Sequence, residues 1–253
     1  MTDTTQPAKT MRSLERALDV LAVLERSRKP LRLTDVARES GLHIATTQRI
    51  LAVLQRYAYV ASEPGGYTVG VKPLADAHAY LLTSSLPQVA TPVLRELSEA
   101  TALTASISVP VGRSRILVAR IAGKNPLRYQ LPVGQRLPIH LGAGRVVAAL
   151  LAEEELQTLI AEVVPFKLAS GETVDETRFR ASLDEVRARD FVHSVSERVP
   201  GAASVGAPVR DDSGRLIAVL QIAGPSASVE DAQLKHYVDE LNRAAMAIRE
   251  RLR

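Results

Sequence analysis

The sequence predicts an α+β protein in two parts, a winged helix-turn-helix followed by a larger domain of helices packed on an antiparallel sheet. Three observations carry this expectation. Apolar residues recur at three- and four-residue steps in three segments between residues 11 and 57. A Gly-rich hairpin pattern follows them at once, and from Val89 onward helical segments alternate with strand pairs joined by tight turns. The 253 residues, 46% apolar and 24% charged, suit one large or two small domains and exclude a disordered chain.

The first helix is expected over 11–27 (MRSLERALDVLAVLERS), where Leu14, Ala17, Leu18, Leu21 and Leu24 fall on one stripe and face a core. After RKPLRL, Thr34 is placed to cap a short helix, DVARES. Gly41 ends that helix, because Gly adopts the left-handed terminal conformation at little cost. The third helix, IATTQRILAVLQRY, carries Ile50, Leu51, Val53, Leu54 and Tyr57 as its apolar set. Two helices joined by a short Gly-containing turn form the helix-turn-helix pattern. Tyr59-Val60-Ala61 and Tyr67-Thr68-Val69 then flank Pro64-Gly65-Gly66 as a hairpin in the position of a wing. Residues 1–10 are expected to be a disordered tail, 11–71 the DNA-binding domain, 72–87 a linker helix opened by Pro73, and 88–253 a second domain.

Within that second domain TPVLRELSEATA is helical, and TASISVPVG with RSRILVARIAG makes two strands around Gly112-Arg113. PLRYQLPVGQRLPIH is extended, GAGRVVAALLAEEELQTLIAEV reads as one helix, and ETRFRASLDEVRARD as another. SVGAPVRDDSGRLIAVLQIAGP is a strand pair around Asp211-Asp212-Ser213-Gly214, and VEDAQLKHYVDELNRAAMAIRERLR a closing helix. Strands in hairpins with helices packed on them give an antiparallel α+β domain.

Composition excludes several function classes. With no Cys there are no disulfides, thiolate zinc sites or cysteine nucleophiles, and the chain reads as cytoplasmic. No apolar run approaches the roughly eighteen residues of a membrane span, and the polar start MTDTTQPAKT is no signal peptide, so no membrane partner is expected. Aromatics are 4% of the chain and Trp is absent, which disfavours base stacking on aromatic platforms. The net charge of +4 is concentrated in residues 1–70, with ten Lys/Arg against seven Asp/Glu and no acid between Glu39 and Glu63. That stretch covers the third helix, whose first turns, Ala45, Thr46, Thr47, Gln48 and Arg49, enter the major groove in a helix-turn-helix protein. Gln can pair with adenine, Arg with guanine, and Thr offers a hydroxyl and a methyl; Arg56 and Thr34 are added as further DNA contacts.

Catalytic and metal chemistry find little support. The five His are scattered without H-x-x-x-H or H-E-x-x-H spacing, no G-x-S-x-G occurs, and no cofactor is expected. Glu153-Glu154-Glu155 suits a helix N-terminus, and Asp211-Asp212-Ser213-Gly214 a hairpin turn rather than a calcium loop. Gly142-Ala143-Gly144 could present N–H groups to an anion or could simply be a tight turn; the spacing of a dinucleotide site is absent.

The segments RSLERALDVLAVL, PLRLTDVARESGLHIATTQRILAVLQRYAYV and EPGGYTVG, followed by LPVGQRLPIHLGAGR and ERVPGAASVGAPVRDDSGRLIAVLQIAGP, resemble the IclR family of bacterial transcriptional regulators. The resemblance runs over residues 11–253. It implies a winged helix-turn-helix followed by a GAF-like effector-binding domain, in a homodimer or a tetramer built as a dimer of dimers. It further implies binding to double-stranded operator DNA, with a small-molecule effector, a carboxylate by family analogy, controlling a catabolic operon, in most members by repression. Carried across position by position, it places Leu127 and Leu137 as apolar walls, Gly142 and Ala143 as a floor, and Ser194, Ser204, Gln221 and Ala223 on the sheet. Arg128 and His140 stand beside them as candidate partners for a carboxylate. The sequence departs from the family pattern at Ile44-Ala45, where a basic residue and Ser are usual, at Ala143-Gly144-Arg145, and at Ser204, where Cys is frequent. An enzyme with an N-terminal DNA-binding tether, or a DNA-binding module with an empty second domain, are the other readings.

Overall fold

A computed structural model describes residues 11–124, 126–127, 131–229 and 231–253. The expected tail at 1–10 lies outside these residues. The chain divides into two compact units, Met1–Leu82 and Thr83–Arg253.

The first unit runs α1 (Arg12–Arg26), α2 (Leu33–Ser40), α3 (Ile44–Arg56), β1 (Val60–Glu63), β2 (Gly66–Val69) and α4 (Lys72–Thr83). Its core is Val20, Val23, Leu24, Leu31, Val36, Leu51 and Val60. The stripe expected on α1 is therefore rotated: Leu14 and Leu18 are 55% and 57% exposed, while Val20 and Val23 point inward. The Leu14 end of α1 instead borders a groove with Thr46, Ile50 and Val53 of α3. Val53 and Tyr57, expected among the apolar set of α3, are exposed.

Gly41 ends α2 at φ 67°, in the left-handed region expected of it. Thr34 does not cap that helix. It lies inside the first turn, exposed, and the flanking residue Arg32 has no side-chain cap. The wing forms as expected, with Val60 opposite Val69 and Glu63 opposite Gly66. It gains a third member, because Leu31 and Tyr67 exchange both backbone hydrogen bonds, at 2.9 and 2.7 Å. Gly66, at φ 143°, permits this approach: a Cβ there would lie 2.1 Å from the Leu31 carbonyl oxygen. After the wing, Asp76 of α4 accepts hydrogen bonds from Tyr59 (2.5 Å) and from Lys72. Helix α4 buries no residue.

The second unit opens with α5 (Ser85–Thr101), six residues earlier than the sequence pattern suggests. A six-stranded antiparallel sheet follows, built from β3 (Thr104–Val111), β4 (Ser114–Ile121), β5 (Arg136–Pro138), β8 (Val192–Val195), β9 (Ala202–Arg210) and β10 (Leu216–Pro225), in the order β5-β4-β3-β10-β9-β8. The edge strand β8 and a small hairpin of β6 (Phe166–Lys167) and β7 (Thr173–Val174) carry no clear sequence signal. The expected helix over 142–163 is broken in three. A single 3-10 turn at Gly142–Gly144 leads into α6 (Arg145–Ala148), and α7 (Glu153–Val163) starts afresh behind Ala152, whose backbone is extended. Then come α8 (Glu176–Arg189), capped by Asp175, and α9 (Asp231–Arg251).

Alternation along the strands sorts the two faces of the sheet. Ala105, Ile107, Val205, Ala207, Leu220 and Ile222 pack with Leu94 and Leu97 of α5 and with Leu241 and Ile248 of α9. Val192 and Val219 face the other way, toward Val146, Leu159 and Phe179 of α6, α7 and α8. Ser106, Ser108, Ser204 and Gln221, at alternate positions on β3, β9 and β10, are buried polar residues.

Candidate functional site

In the first unit, Ala45, Gln48, Arg49, Ala52 and Arg56 are exposed at three- and four-residue steps, which makes them one outward stripe of α3. The Arg49 Nε donates to the Ala45 carbonyl at 3.3 Å. Thr46 is half-buried toward the α1 groove. Thr47 departs from expectation: it is 0% exposed, and its hydroxyl donates to the His43 carbonyl at 3.2 Å. Its side chain belongs to the core and cannot reach a base edge.

In the second unit a cavity of ≈ 70 Å³ lies on the polar side of the sheet. Leu127, Gly142, Ala143, Ser194, Ser204, Gln221 and Ala223 all line it. A smaller hollow of ≈ 40 Å³ adjoins it, sharing Leu127, Leu131, Gln221 and Ala223 and reaching Ser106 and Arg120. The floor sits close to the sheet because Gly206 of β9 has no side chain: a Cβ there would meet that of Ala143 at 2.6 Å. Ser194 and Ser204, paired across β8 and β9, share a hydrogen bond of 2.9 Å.

Two residues expected in this cavity lie elsewhere, and a third lies outside the described residues. Leu137 is buried on β5 opposite Arg115 and does not line it. His140 points into a second cavity of ≈ 80 Å³ beside Phe166, Phe179 and Arg178. There it stacks edge-on against Phe166 at 4.9 Å, and burial pushes its pKa below the ordinary histidine value. Arg128 is outside the described residues.

The structure adds three charged residues that sequence reasoning does not find: Arg115, Glu197 and Arg198. Arg115 is 1% exposed, and its guanidinium donates to the Ser108 hydroxyl (3.0 Å) and to the Gln221 side-chain carbonyl (3.2 Å). Burial, and then the charge of Arg198, pull its pKa down to about 9, so it is still a cation at neutral pH. Glu197 accepts the Gly142 N–H at 2.7 Å through one oxygen and pairs with Arg145 through the other. Of the two readings of the Gly-rich turn, an anion site or a tight turn, the N–H of Gly142 does meet an anion, but one that the protein itself supplies. An inward charge on β4 should have been legible from alternation, but a bulge between Ile107 and Ser108 shifts the register opposite it and hides the parity of Arg115.

No group of three or more His, Asp or Glu among the described residues could hold a metal ion. No helix among them is long and apolar enough to cross a membrane.

The family model for the C-terminal region of the bacterial transcriptional regulator IclR matches residues 78–250, more than half of the chain. The chain belongs to the IclR family. The IclR helix-turn-helix model matches residues 13–64 as well. The chain is therefore a DNA-binding transcriptional regulator of the IclR family. It is 29% identical over 246 residues to the HTH-type transcriptional regulator XynR of Escherichia coli K12, covering 94% of this chain and 96% of that one. It is 28% identical over 222 residues to the HTH-type transcriptional repressor AllR of the same strain, covering 87% and 82%. Among solved structures, an IclR homologue from Microbacterium hydrocarbonoxydans complexed with 4-hydroxybenzoate shares the fold. Its TM-score is 0.70 at 20% identity, covering 95% of this chain and 98% of that one.

Proposed function

We propose that this IclR-family protein is a cytoplasmic repressor of a catabolic operon, released from its operator when a small organic acid enters the cavity of the Thr83–Arg253 unit. The observation that carries the effector half is the cavity itself, a walled space lined by seven residues that family resemblance marks independently. The AllR repressor and the homologue complexed with 4-hydroxybenzoate support the sign of regulation and the ligand class by likeness.

On this reading two copies of the chain place α3 in successive major grooves of a pseudo-palindromic operator. Gln48 and Arg49 meet base edges or phosphates, Ala45 the groove wall, and Arg56 the backbone. Thr46 contacts DNA only at the rim of the helix, and Thr34 through the backbone near the start of α2. Helix α4, apolar and uncovered at Leu74, Leu81 and Leu82, supplies part of the dimer contact and joins the DNA-reading domain (11–71) to the effector domain (88–253). Two such dimers pair in a tetramer. Coupling between effector and operator of this kind typically amounts to about 1–3 kcal/mol.

The test is a gel-shift titration of the full chain against the intergenic DNA upstream of its own gene and of the adjacent genes. Nanomolar, salt-dependent binding weakened by a small organic acid is the expected result. Absence of sequence-preferential binding at micromolar protein overturns the reading.

A further inference from the structure

We propose that Arg115 is the anion anchor of the cavity and that Glu197, at the opposite end, fixes the direction in which a ligand enters. This rests on the reading that the cavity holds the effector, and it goes further by naming the charge, the orientation and the residue that selects the ligand.

Arg115 lines the cavity and is almost wholly buried, yet it makes no ion pair with any described residue. Two hydrogen bonds to neutral oxygens leave its Nε without a partner. An isolated buried cation is strongly unfavourable unless something compensates it, and a buried guanidinium with an open donor is shaped for a planar carboxylate. Arg198 also lies on the cavity wall.

Glu197 lies just past β8, on the far side of the sheet order from β4, which carries Arg115. The Gly142–Gly144 turn would be the natural anion site of such a cavity, because a helical turn aims N–H groups outward. Here the Gly142 N–H is already taken by Glu197, whose second oxygen is held by Arg145. With that N–H occupied, an incoming carboxylate is drawn to Arg115 instead. The far end of the ligand then lies near Glu197 and the Ser194–Ser204 pair, which accept a hydroxyl or amine donor, while Leu127 and Ala223 cover an apolar body between. The ligand class is a small monocarboxylate with a hydrogen-bond donor at the end remote from its charge.

The experiment uses thermal melting and calorimetric titration of the full chain. The probes are pyruvate, lactate, benzoate and 4-hydroxybenzoate, each beside its neutral amide, at fixed ionic strength. We expect at least one carboxylate to raise Tm and bind, with its amide inactive. Arg115→Gln should weaken that binding on the order of 30-fold or more, and Arg115→Lys should weaken it less. The free Arg115→Gln protein should melt no lower than the wild type, since the substitution removes an uncompensated charge. Equal responses to acid and amide, an Arg115→Gln protein that responds as the wild type does, or a panel in which no carboxylate binds would each overturn the proposal. Should Arg115→Gln not fold, the acid–amide comparison on the wild type decides alone. Ala223→Leu separates the two readings: it fills the cavity from the sheet and should abolish binding of any occupant. If it does so while acid and amide bind alike, the effector cavity stands and Arg115 is not its anchor. If it leaves binding intact, the cavity is not the effector site.

Discussion

Thr47 and Gln48 are neighbours on α3, yet one is sealed in the core of the first unit and the other is open to solvent. A step of about 100° around the helix separates them, and that angle decides what each can do. Replacing Thr47 by Val keeps the shape and removes only the hydroxyl bond to His43. Operator affinity should stay within about twofold by gel shift, and urea unfolding should change by about 1 kcal/mol or less. Gln48→Ala should cost about 1–3 kcal/mol on the operator and relax sequence preference at one base pair. Arg49→Ala should weaken binding and, if it neutralises a phosphate, reduce the salt slope by about 1, read from fluorescence anisotropy across a salt series. The third helix was plain in the sequence, but its inward face was harder to see. A Thr occupies a core position there while Val53 and Tyr57 stay outside, so counting apolar residues rotates the helix incorrectly. Arg115 was hidden by a different cause, a bulge that reverses the parity on which strand reading depends.

Among the elements, the wing and the turn at Gly142 show how close approach governs shape. Gly66→Ala would drive a methyl into the Leu31 carbonyl at a positive φ, so it should lower stability by about 2 kcal/mol and detach the hairpin from the chain between α1 and α2. Calorimetry of the full chain checks this, with loss of operator affinity as a second reading. Glu197→Ala would strip the partner from Arg145, with both side chains only 12% exposed, and would leave the Gly142 N–H unpaired. About 3 kcal/mol should be lost in urea unfolding. The hairpin pattern of the wing, the Gly41 helix end and the β3–β4 and β9–β10 pairs were legible because Gly and Asp mark turns with a definite geometry. The single helix expected over 142–163 was a misreading of a continuous Ala, Val and Leu run. Gly144 stays helical while passing close to the Pro138 carbonyl oxygen, where a Cβ would lie 2.4 Å away, and the run is interrupted only before α7, where Ala152 turns extended.

For the whole molecule, the two units meet at Leu82, inside the 72–87 segment that the sequence reads as a linker helix, and family resemblance placed seven residues around one cavity. It misplaced Leu137 and His140, because positions copied along a strand and its following loop do not report which way a side chain turns. No residue of helix α4 is buried, and Leu74, Leu81 and Leu82 are exposed. Leu74→Asp with Leu81→Asp should shift the protein toward monomer in light scattering after gel filtration, and steepen the protein dependence of operator binding. Glu197 lines both the cavity at Arg115 and the separate one beside His140 and Phe166. A party wall of this kind makes two rooms mutually audible. Whatever fills the chamber beside Phe166 and shifts that carboxylate also retunes the affinity of the other, and thermodynamic reciprocity requires the same factor in return.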